Sequence, residues 1–507
     1  MFPKKLTKAA ISDPDNPVAE AKGGKYRGVQ TDGCFIFRGI FYGKAKRFGE
    51  ATPIDPIDKV QDAVGYKGVC SQIGTQIGKD NYFIPHMWYP QSEDCLHLNI
   101  WTPELRKDAG RPVVVWLHGG GYDRGSAIEQ YAYDGGNLAA QESVVVVSIN
   151  HRLNLLGFLD LSEWGEPYSH TVNNGIKDII LALTWIKENI AAFGGDPDNV
   201  TLFGQGSGAD KILTLMQAEC ADGLYHKVIL QSPVCYSSDP RVSRENARLL
   251  ANLMVENLGL DKDTIGRIET LPYHHLARAA GRALELFREE TGAAYIWAPV
   301  ADGELFSNTV LRSGFRDNAA AIPMIVGSNS GEFSSSVYFR GHKEERTEAI
   351  GKLFPSVIEG DSGLDSEIRT TCLQLLEKRR AADCANTYNY VFAPQLPTYG
   401  GVTPWHCAEI PFAFMNAKYM EASFEPGVTE GIQNAVAGCW TNFAKTGRPS
   451  EDWPVSDDRG GLLVFTAEGP VKAEFRKIPL PEVKEISCVC ESTYGGALLK
   501  IAPCSSR

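Results

Sequence analysis

Strongly apolar runs and amphipathic segments alternate over the first half of the chain. The runs RPVVVWLHGG (111–120) and ESVVVVSINHR (142–152) are apolar without a two-residue alternation, which is typical of strands buried on both faces. Residues 173–195 carry apolar side chains at helical spacing and end in a glycine pair, so they predict a helix. The segment DPDNVTLF (196–203) predicts a further strand. This alternation favours an α/β fold with a mostly parallel central sheet and helices on both faces.

The second half of the chain is richer in helical patterns. Residues 244–260 and 368–392 are the clearest predicted helices, and IPMIVGSNSGEF (322–333) contains a predicted strand. No repeat, low-complexity tract or long linker divides the sequence. We therefore expect one domain over residues 1–507, with large helical insertions.

Composition and charge argue against several classes of function. Of 507 residues, 43% are hydrophobic and 22% are charged, which is ordinary for a soluble globular protein. The formal charge of -12 argues against nucleic acid as a partner, because such binding depends on Lys and Arg. No apolar run has the length of a membrane span or a signal-peptide core, so we expect a cytoplasmic protein. The twelve cysteines include no C-x-x-C pair, and we expect no metal.

The turn GQGSG stands between a predicted strand and a helical pattern. One interpretation is a dinucleotide-binding loop, since Gly204, Gly206 and Ala209 fit G-x-G-x-x-A. The following strand, however, ends on Gln231 and Ser232 instead of an acidic residue that would bind ribose hydroxyls. The unit also lies in the middle of the chain, behind several strands. We therefore expect no nucleotide and no other cofactor.

A second interpretation rests on ordered segments along nearly the whole chain. Together they resemble the type-B carboxylesterase family, which includes the cholinesterases and has the α/β-hydrolase fold. The segments are FRGIFYGKAKRF (37–48), SEDCLHLNIWTP (92–103), WLHGGGY (116–122), NHRLNLLGFL (150–159), WIKENIAAFGGDPDNVTLFGQGSGA (185–209), QSP (231–233), GSNSGEF (327–333), PWHCAEIPFAF (404–414) and WTNFAKTGRPS (440–450).

The resemblance implies roles for several residues. In that family a serine attacks an ester carbonyl, a histidine takes its proton and an acid orients the histidine, in the chain order nucleophile, acid, base. The acid position falls on Glu332 and the base position on His406. Backbone N–H groups of Gly120, Gly121 and Ser207 would hold the oxyanion. The predicted catalytic machinery therefore draws on four separate segments.

The nucleophile position departs from the family pattern. Aligning the elbow G-x-S-x-G on Gly204 and Gly208 places Gly206 where the serine is expected. Ser207 lies one residue later, and on a sharp turn that step rotates its side chain away from the histidine. An elbow centred on Ser207 would also place Gln205 where a small flanking residue is needed. We therefore interpret Ser207 chiefly as an oxyanion donor or helix cap, with a displaced nucleophile as the alternative.

Three functions remain open at this point. The first is a carboxylic ester hydrolase whose turnover is weak or mechanistically altered by Gly206. The second is a non-hydrolytic enzyme, of lyase, isomerase or cyclase type, that uses His406 and Glu332 as an acid–base pair. The third is a catalytically silent ligand-binding homologue or an inactivated variant.

Aromatic residues near the predicted site suggest a small apolar or aromatic ester as substrate. Tyr122, Phe333, Trp405 and Phe414 could line a pocket or belong to the core, and the segment NYFIPHMWYP (81–90) could cover it.

Two cysteines carry a further expectation from the resemblance. Cys70 and Cys95 fall on positions that resemble the family's first disulfide. In a reducing cytoplasm we expect them to be free thiols that lie close together.

Overall fold

The structure is a computed structural model that describes residues 17–31, 33–73, 85–332, 367–382, 384–397, 404–457 and 460–474. Phe333 and residues 81–84 of the aromatic segment lie outside this part of the chain. No helix among the described residues is long and apolar enough to cross a bilayer.

Short N-terminal strands precede a long run of alternating strands and helices. The strands are β1 Val18–Ala21, β2 Gly24–Arg27, β3 Val29–Thr31, β4 Cys34–Phe41, β5 Gly43–Lys44, β6 Thr52–Pro53, β7 Ile57–Asp62, β8 Val69–Cys70, β9 Gln91–Ser92, β10 His97–Thr102, β11 Arg111–Leu117, β12 Val145–Ile149, β13 Gly195–Gln205, β14 Lys227–Gln231, β15 Met324–Asn329, β16 Thr387–Phe392, β17 Gly461–Thr466 and β18 Gly469–Glu474. The α-helices are α1 Gly136–Glu142, α2 Asn154–Phe158, α3 Asn174–Asn189, α4 Ser207–Leu215, α5 Arg244–Asn257, α6 Tyr273–Thr291, α7 Val310–Ser313, α8 Asp317–Ala320, α9 Glu367–Ala381, α10 Ile410–Ala413 and α11 Thr429–Thr446.

An 11-stranded sheet forms the centre of the molecule. Its strand order is β18-β17-β16-β15-β14-β13-β11-β12-β10-β4-β3. Every neighbouring pair from β12 to β17 is parallel. The antiparallel pairings lie at the two ends, where β10, β4 and β3 close one side and β18 closes the other. The predicted mostly parallel sheet is confirmed.

Alternate residues of each central strand supply two separate cores. Val113 and Val115 of β11 pack with apolar residues of α3 to α6, while Val114 and Trp116 pack with residues of α1 and α11 on the opposite face. Both faces are apolar because helices cover both, which explains why the strand sequence shows no alternation.

One predicted helix is wrong in its second half. The segment 368–392 was expected to be a single helix, but α9 ends at Ala381 and Thr387–Phe392 is the fully buried strand β16. The run TYNYVF is rich in β-branched and aromatic residues, which favour a packed strand over a helix. The predicted helix at 244–260 and the predicted strand within 322–333 are present as α5 and β15.

The carboxyl ends of the parallel strands carry the predicted site. The glycine loop follows β11, the GQGSG turn follows β13, and Glu332 lies shortly after β15. In open α/β sheets ligands bind at this edge, so the topology brings distant segments to one place.

Cys70 and Cys95 are buried free thiols in contact with each other. This agrees with the expectation of two neighbouring thiols without a bridge.

Candidate active site

The turn between β13 and α4 has the geometry of a tight strand-to-helix elbow. Gly206 adopts φ 61° and ψ −122°, a backbone conformation that glycine reaches without the strain it imposes on other residues. Its N–H donates to the Gln231 carbonyl at 2.9 Å. A Cβ atom at Gly208 would lie 2.1 Å from the Leu117 carbonyl oxygen, and one at Gly204 would lie 2.6 Å from Gly208. Only glycines at these flanking positions let α4 approach the sheet so closely.

The elbow presents position 206 to the predicted base. A Cβ atom built on Gly206 would lie 3.1 Å from His406 Nε2 and 3.8 Å from its Cε1. A side chain at this position would therefore begin within contact of the imidazole. Position 206, which the alignment on the flanking glycines selects, therefore faces the histidine, and its role as the nucleophile position stays a prediction.

Ser207 is directed elsewhere. Its Oγ donates a 2.5 Å hydrogen bond to the carbonyl of Gly121, and the residue is buried. A hydroxyl has a single proton to donate, and the Ser207 hydroxyl donates it to the glycine loop. This geometry agrees with the expected rotation of Ser207 away from the histidine.

Glu332 and His406 form a closely coupled pair. The pair is joined by a 2.6 Å hydrogen bond between His406 Nδ1 and Glu332 Oε2. The other carboxylate oxygen accepts from Ser232 Oγ at 2.7 Å and from the Asn329 N–H at 2.6 Å. The backbones of the two residues also meet, since the His406 N–H donates to the Glu332 carbonyl at 3.1 Å. With Nδ1–H donated to the acid, Nε2 is the basic nitrogen and faces Gly206.

Gln205 is a site residue that sequence reasoning missed. Its Nε2 lies 3.1 Å from His406 Nε2, and its Oε1 accepts from the Cys407 thiol at 3.1 Å. Since Nδ1 carries the imidazole proton, the Gln205 amide donates to Nε2 and takes the place that a serine hydroxyl would occupy. The signal available in the sequence was its position at the end of a buried strand, directly before Gly206.

The glycine loop after β11 approaches the elbow from the other side. Gly120 and Gly121 have φ values of 91° and 70°, which favour glycine. A Cβ atom at Gly119 would lie 2.9 Å from the Gln205 carbonyl oxygen. The predicted oxyanion residues and the predicted base therefore flank the same elbow.

A second buried carboxyl group lies behind the pair. Glu409 accepts from Asn329 Nδ2 at 2.6 Å and from Gln231 Nε2 at 3.2 Å. Burial, followed by the neighbouring Glu332 carboxylate, raises the pKa of Glu409 to about 7. Glu409 lies within the segment 404–414, but no catalytic role in the resemblance falls on it.

Three of the aromatic pocket candidates belong to the core. The Tyr122 hydroxyl donates to Asp210 at 2.9 Å, and Phe414 packs on Trp116 with ring centroids 5.2 Å apart. Trp405 is also buried in the core on the α11 side of the sheet. The apolar lining that these residues suggested is therefore not built from them.

Comparison with known proteins agrees with this architecture. Residues 15–357 match the Carboxylesterase family. The para-nitrobenzyl esterase of Bacillus subtilis (strain 168) is 30% identical over 497 residues, which cover 91% of this chain and 98% of that protein. The phenmedipham hydrolase of Pseudarthrobacter oxydans is 30% identical over 489 residues, covering 88% and 95%.

A solved structure extends the similarity to the fold. An esterase from the anaerobe Clostridium hathewayi, described as able to hydrolyse aliphatic aromatic polyesters, superposes with a TM-score of 0.80 at 35% identity and covers 92% of this chain and 97% of its own. The fold is that of the α/β-hydrolases, with the elbow, the glycine loop and the Glu332–His406 pair at the carboxyl edge of the sheet. The chain belongs to the carboxylesterase family.

Proposed function

We propose that this protein is a carboxylic ester hydrolase that uses water directly, without a serine nucleophile, and therefore turns over slowly. The observation that carries the proposal is the 3.1 Å distance between His406 Nε2 and the Cβ position of Gly206. The His406 imidazole faces a residue without a hydroxyl group. On its other side the imidazole is hydrogen-bonded to Glu332, whose second carboxylate oxygen accepts two further hydrogen bonds.

In the proposed reaction a water molecule stands between His406 Nε2 and the ester carbonyl carbon. The imidazole removes one proton as the water oxygen attacks, and the N–H groups of Gly120, Gly121 and Ser207 stabilise the oxyanion. Collapse of the tetrahedral intermediate returns the proton from His406 to the departing alcohol oxygen. The Gln205 amide has to release Nε2 before water can bind there.

Two considerations support the proposed slow turnover. Serine hydrolases deprived of their triad residues retain about 10³- to 10⁴-fold catalysis over water from the oxyanion hole and substrate binding. A buried amide already donates to the basic nitrogen here, because Gln205 lies 3.1 Å from it. Water therefore competes with an internal partner for the base.

The substrate class rests on similarity. Two relatives and one structural neighbour are named for para-nitrobenzyl esters, phenmedipham and aliphatic aromatic polyesters. We propose that this chain accepts small carboxylic esters with an apolar or aromatic group.

Hydrolysis of p-nitrophenyl esters by the unaltered chain and by His406→Ala tests the proposal. We expect a slow reaction that falls at least about tenfold without the imidazole. The matched control is His274→Ala, which changes an exposed histidine and should leave the rate unchanged. A rate that is equal in the unaltered chain and in His406→Ala would overturn the proposed mechanism.

A further inference from the structure

A fully buried lysine lies behind the glycine loop. Lys211 belongs to α4, and its Nζ donates to the His118 carbonyl at 2.9 Å. The same Nζ lies 5.4 Å from the centre of the Tyr122 ring. Burying an ammonium group is costly unless it makes strong interactions. Its chief hydrogen bond nevertheless goes to a single backbone carbonyl, at the residue that begins the HGGG sequence.

Side chains hold several carbonyls of this loop from behind. The His118 carbonyl accepts from Lys211, and the Gly119 carbonyl accepts from His118 Nδ1 at 2.8 Å. The Gly121 carbonyl accepts from Ser207 Oγ at 2.5 Å. Within one peptide unit the C=O and the following N–H point in opposite directions. Fixing the Gly119 carbonyl therefore directs the Gly120 N–H to the other side of the loop.

The carboxylate of the neighbouring Asp210 accepts its hydrogen bonds from groups other than Lys211. Asp210 accepts from the Tyr122 hydroxyl at 2.9 Å and from the N–H and Oγ of Ser237 at 3.0 and 2.6 Å. Burial lowers the pKa of Lys211 to about 7, and the carboxylates of Glu129 and Asp210 oppose that change. Lys211 is therefore only partly charged near neutral pH, and its Nζ can donate to the loop carbonyl in either protonation state.

Two stacked histidines complete the surroundings of the lysine. The rings of His118 and His151 are 5.0 Å apart, and burial keeps the pKa of each well below its usual range. Both rings are therefore neutral near pH 7, and the group that donates to the carbonyl at the start of the glycine loop is Lys211.

We propose that Lys211 is a positioning residue that holds the His118–Gly119 peptide and with it the start of the glycine loop. From this fixed start the His118 ring holds the Gly119 carbonyl, so that the Gly120 N–H faces the developing oxyanion of the ester. This inference rests on the proposed ester hydrolysis, and it adds a residue that the triad and the oxyanion glycines do not include. In its protonated form Lys211 makes a charge-assisted hydrogen bond, which is about twice as strong as a neutral one.

The kinetic test uses Lys211→Met in a Gly206→Ser background. We expect kcat to fall about tenfold to a hundredfold with KM within about threefold, because misdirected oxyanion donors cost transition-state stabilisation more than substrate binding. Lys187→Met is the matched control, since Lys187 also donates to a backbone carbonyl, that of Gly223 at 2.9 Å, and lies on the exposed side of α3. An unchanged kcat in Lys211→Met would overturn the proposal.

A second measurement needs no activity. Hydrogen–deuterium exchange of the amides of residues 118–122 in the unaltered Gly206 chain should be at least about threefold faster after Lys211→Met than after Lys187→Met. Equal exchange would overturn the positioning role. If Gly206→Ser gains no esterase activity, the supporting groups are not poised for ester hydrolysis, while this exchange measurement still decides the role of Lys211.

Lys211→Gln guards against a variant that does not fold. Its amide keeps an N–H donor, one bond closer to the backbone than Lys Nζ, so we expect kcat between those of Gly206→Ser and Lys211→Met in the same background. A Gln variant as impaired as the Met variant in both kcat and exchange would contradict the role of the hydrogen bond.

Discussion

The two sides of the site differ in how completely they are built. On one side, the Glu332 carboxylate receives hydrogen bonds from Ser232, Asn329 and His406, so the base is oriented as a triad requires. On the other side, the elbow has the expected backbone, but its central residue is Gly206, which has no hydroxyl. The Gln205 amide donates a hydrogen bond to His406 Nε2 instead. Under the proposed mechanism, this contrast means that the supporting structure of a hydrolase site is present without its attacking group.

Restoring the hydroxyl tests this contrast most strongly. Gly206→Ser should raise kcat/KM for p-nitrophenyl esters by at least about a thousandfold, because the new Oγ would meet an oriented base and an oxyanion loop. Serine has to accept the positive φ of 61° at this position, so a small loss of stability is expected with the gain. Steady-state kinetics of the two proteins measures the effect, and an unchanged kcat/KM would show that the supporting groups are not poised for ester hydrolysis.

Removing the negative charge of Glu332 should lower kcat, because this carboxylate orients His406. Glu332→Gln in the Gly206→Ser background should lower kcat by about a hundredfold to ten-thousandfold, since the amide no longer holds the His406 tautomer and orientation. The matched control is Glu421→Gln, a change of an exposed glutamate. A kcat that survives Glu332→Gln would mean that His406 is oriented by other groups.

A smaller effect should follow from Ser207→Ala. The change keeps the backbone N–H of residue 207 but removes the hydroxyl that donates to Gly121. Loss of one such hydrogen bond costs about 0.5–1.5 kcal/mol, so kcat of Gly206→Ser should fall by less than about tenfold. Complete loss of activity would instead identify Ser207 as the nucleophile.

The pH dependence of stability should report the buried Glu409. Its pKa is raised from 4.5 to about 7, so between these values the folded protein binds more protons at this site than the unfolded chain does. Its contribution to the free energy of unfolding therefore falls as pH rises, by up to about 1.4 kcal/mol per pH unit. Urea unfolding at pH 5 and pH 8 should show a smaller decline for Glu409→Gln than for the unaltered chain, and equal declines would contradict the assignment.

Sequence reasoning predicted the layers of the fold because they depend on local patterns, and the order of the candidate site residues stays a prediction. Uniformly apolar runs identified β11 and β12, and the flanking glycines fixed the register of the elbow on Gly206. It failed at Thr387–Phe392, where the helical pattern of α9 was carried into a strand that tertiary packing stabilises.

Contacts between side chains and distant segments could not be predicted from the sequence. Gln205 meets His406 201 residues away, and Lys211 meets the His118 carbonyl 93 residues away. No spacing in the chain encodes such contacts, since they exist only after several strand ends converge at one edge. Packing also decides what residue type leaves open. The aromatic side chains of Tyr122 and Phe414 suggested a pocket lining, but both are buried in the core.

Covalent labelling with an organophosphonate ester, read by mass spectrometry, tests the central claim most directly. These reagents report an activated serine hydroxyl beside an oxyanion hole. We predict no adduct on the unaltered chain and one adduct on Gly206→Ser, at residue 206, which is lost with His406→Ala. An adduct on Ser207 of the unaltered chain would contradict the placement of Gly206 at the nucleophile position.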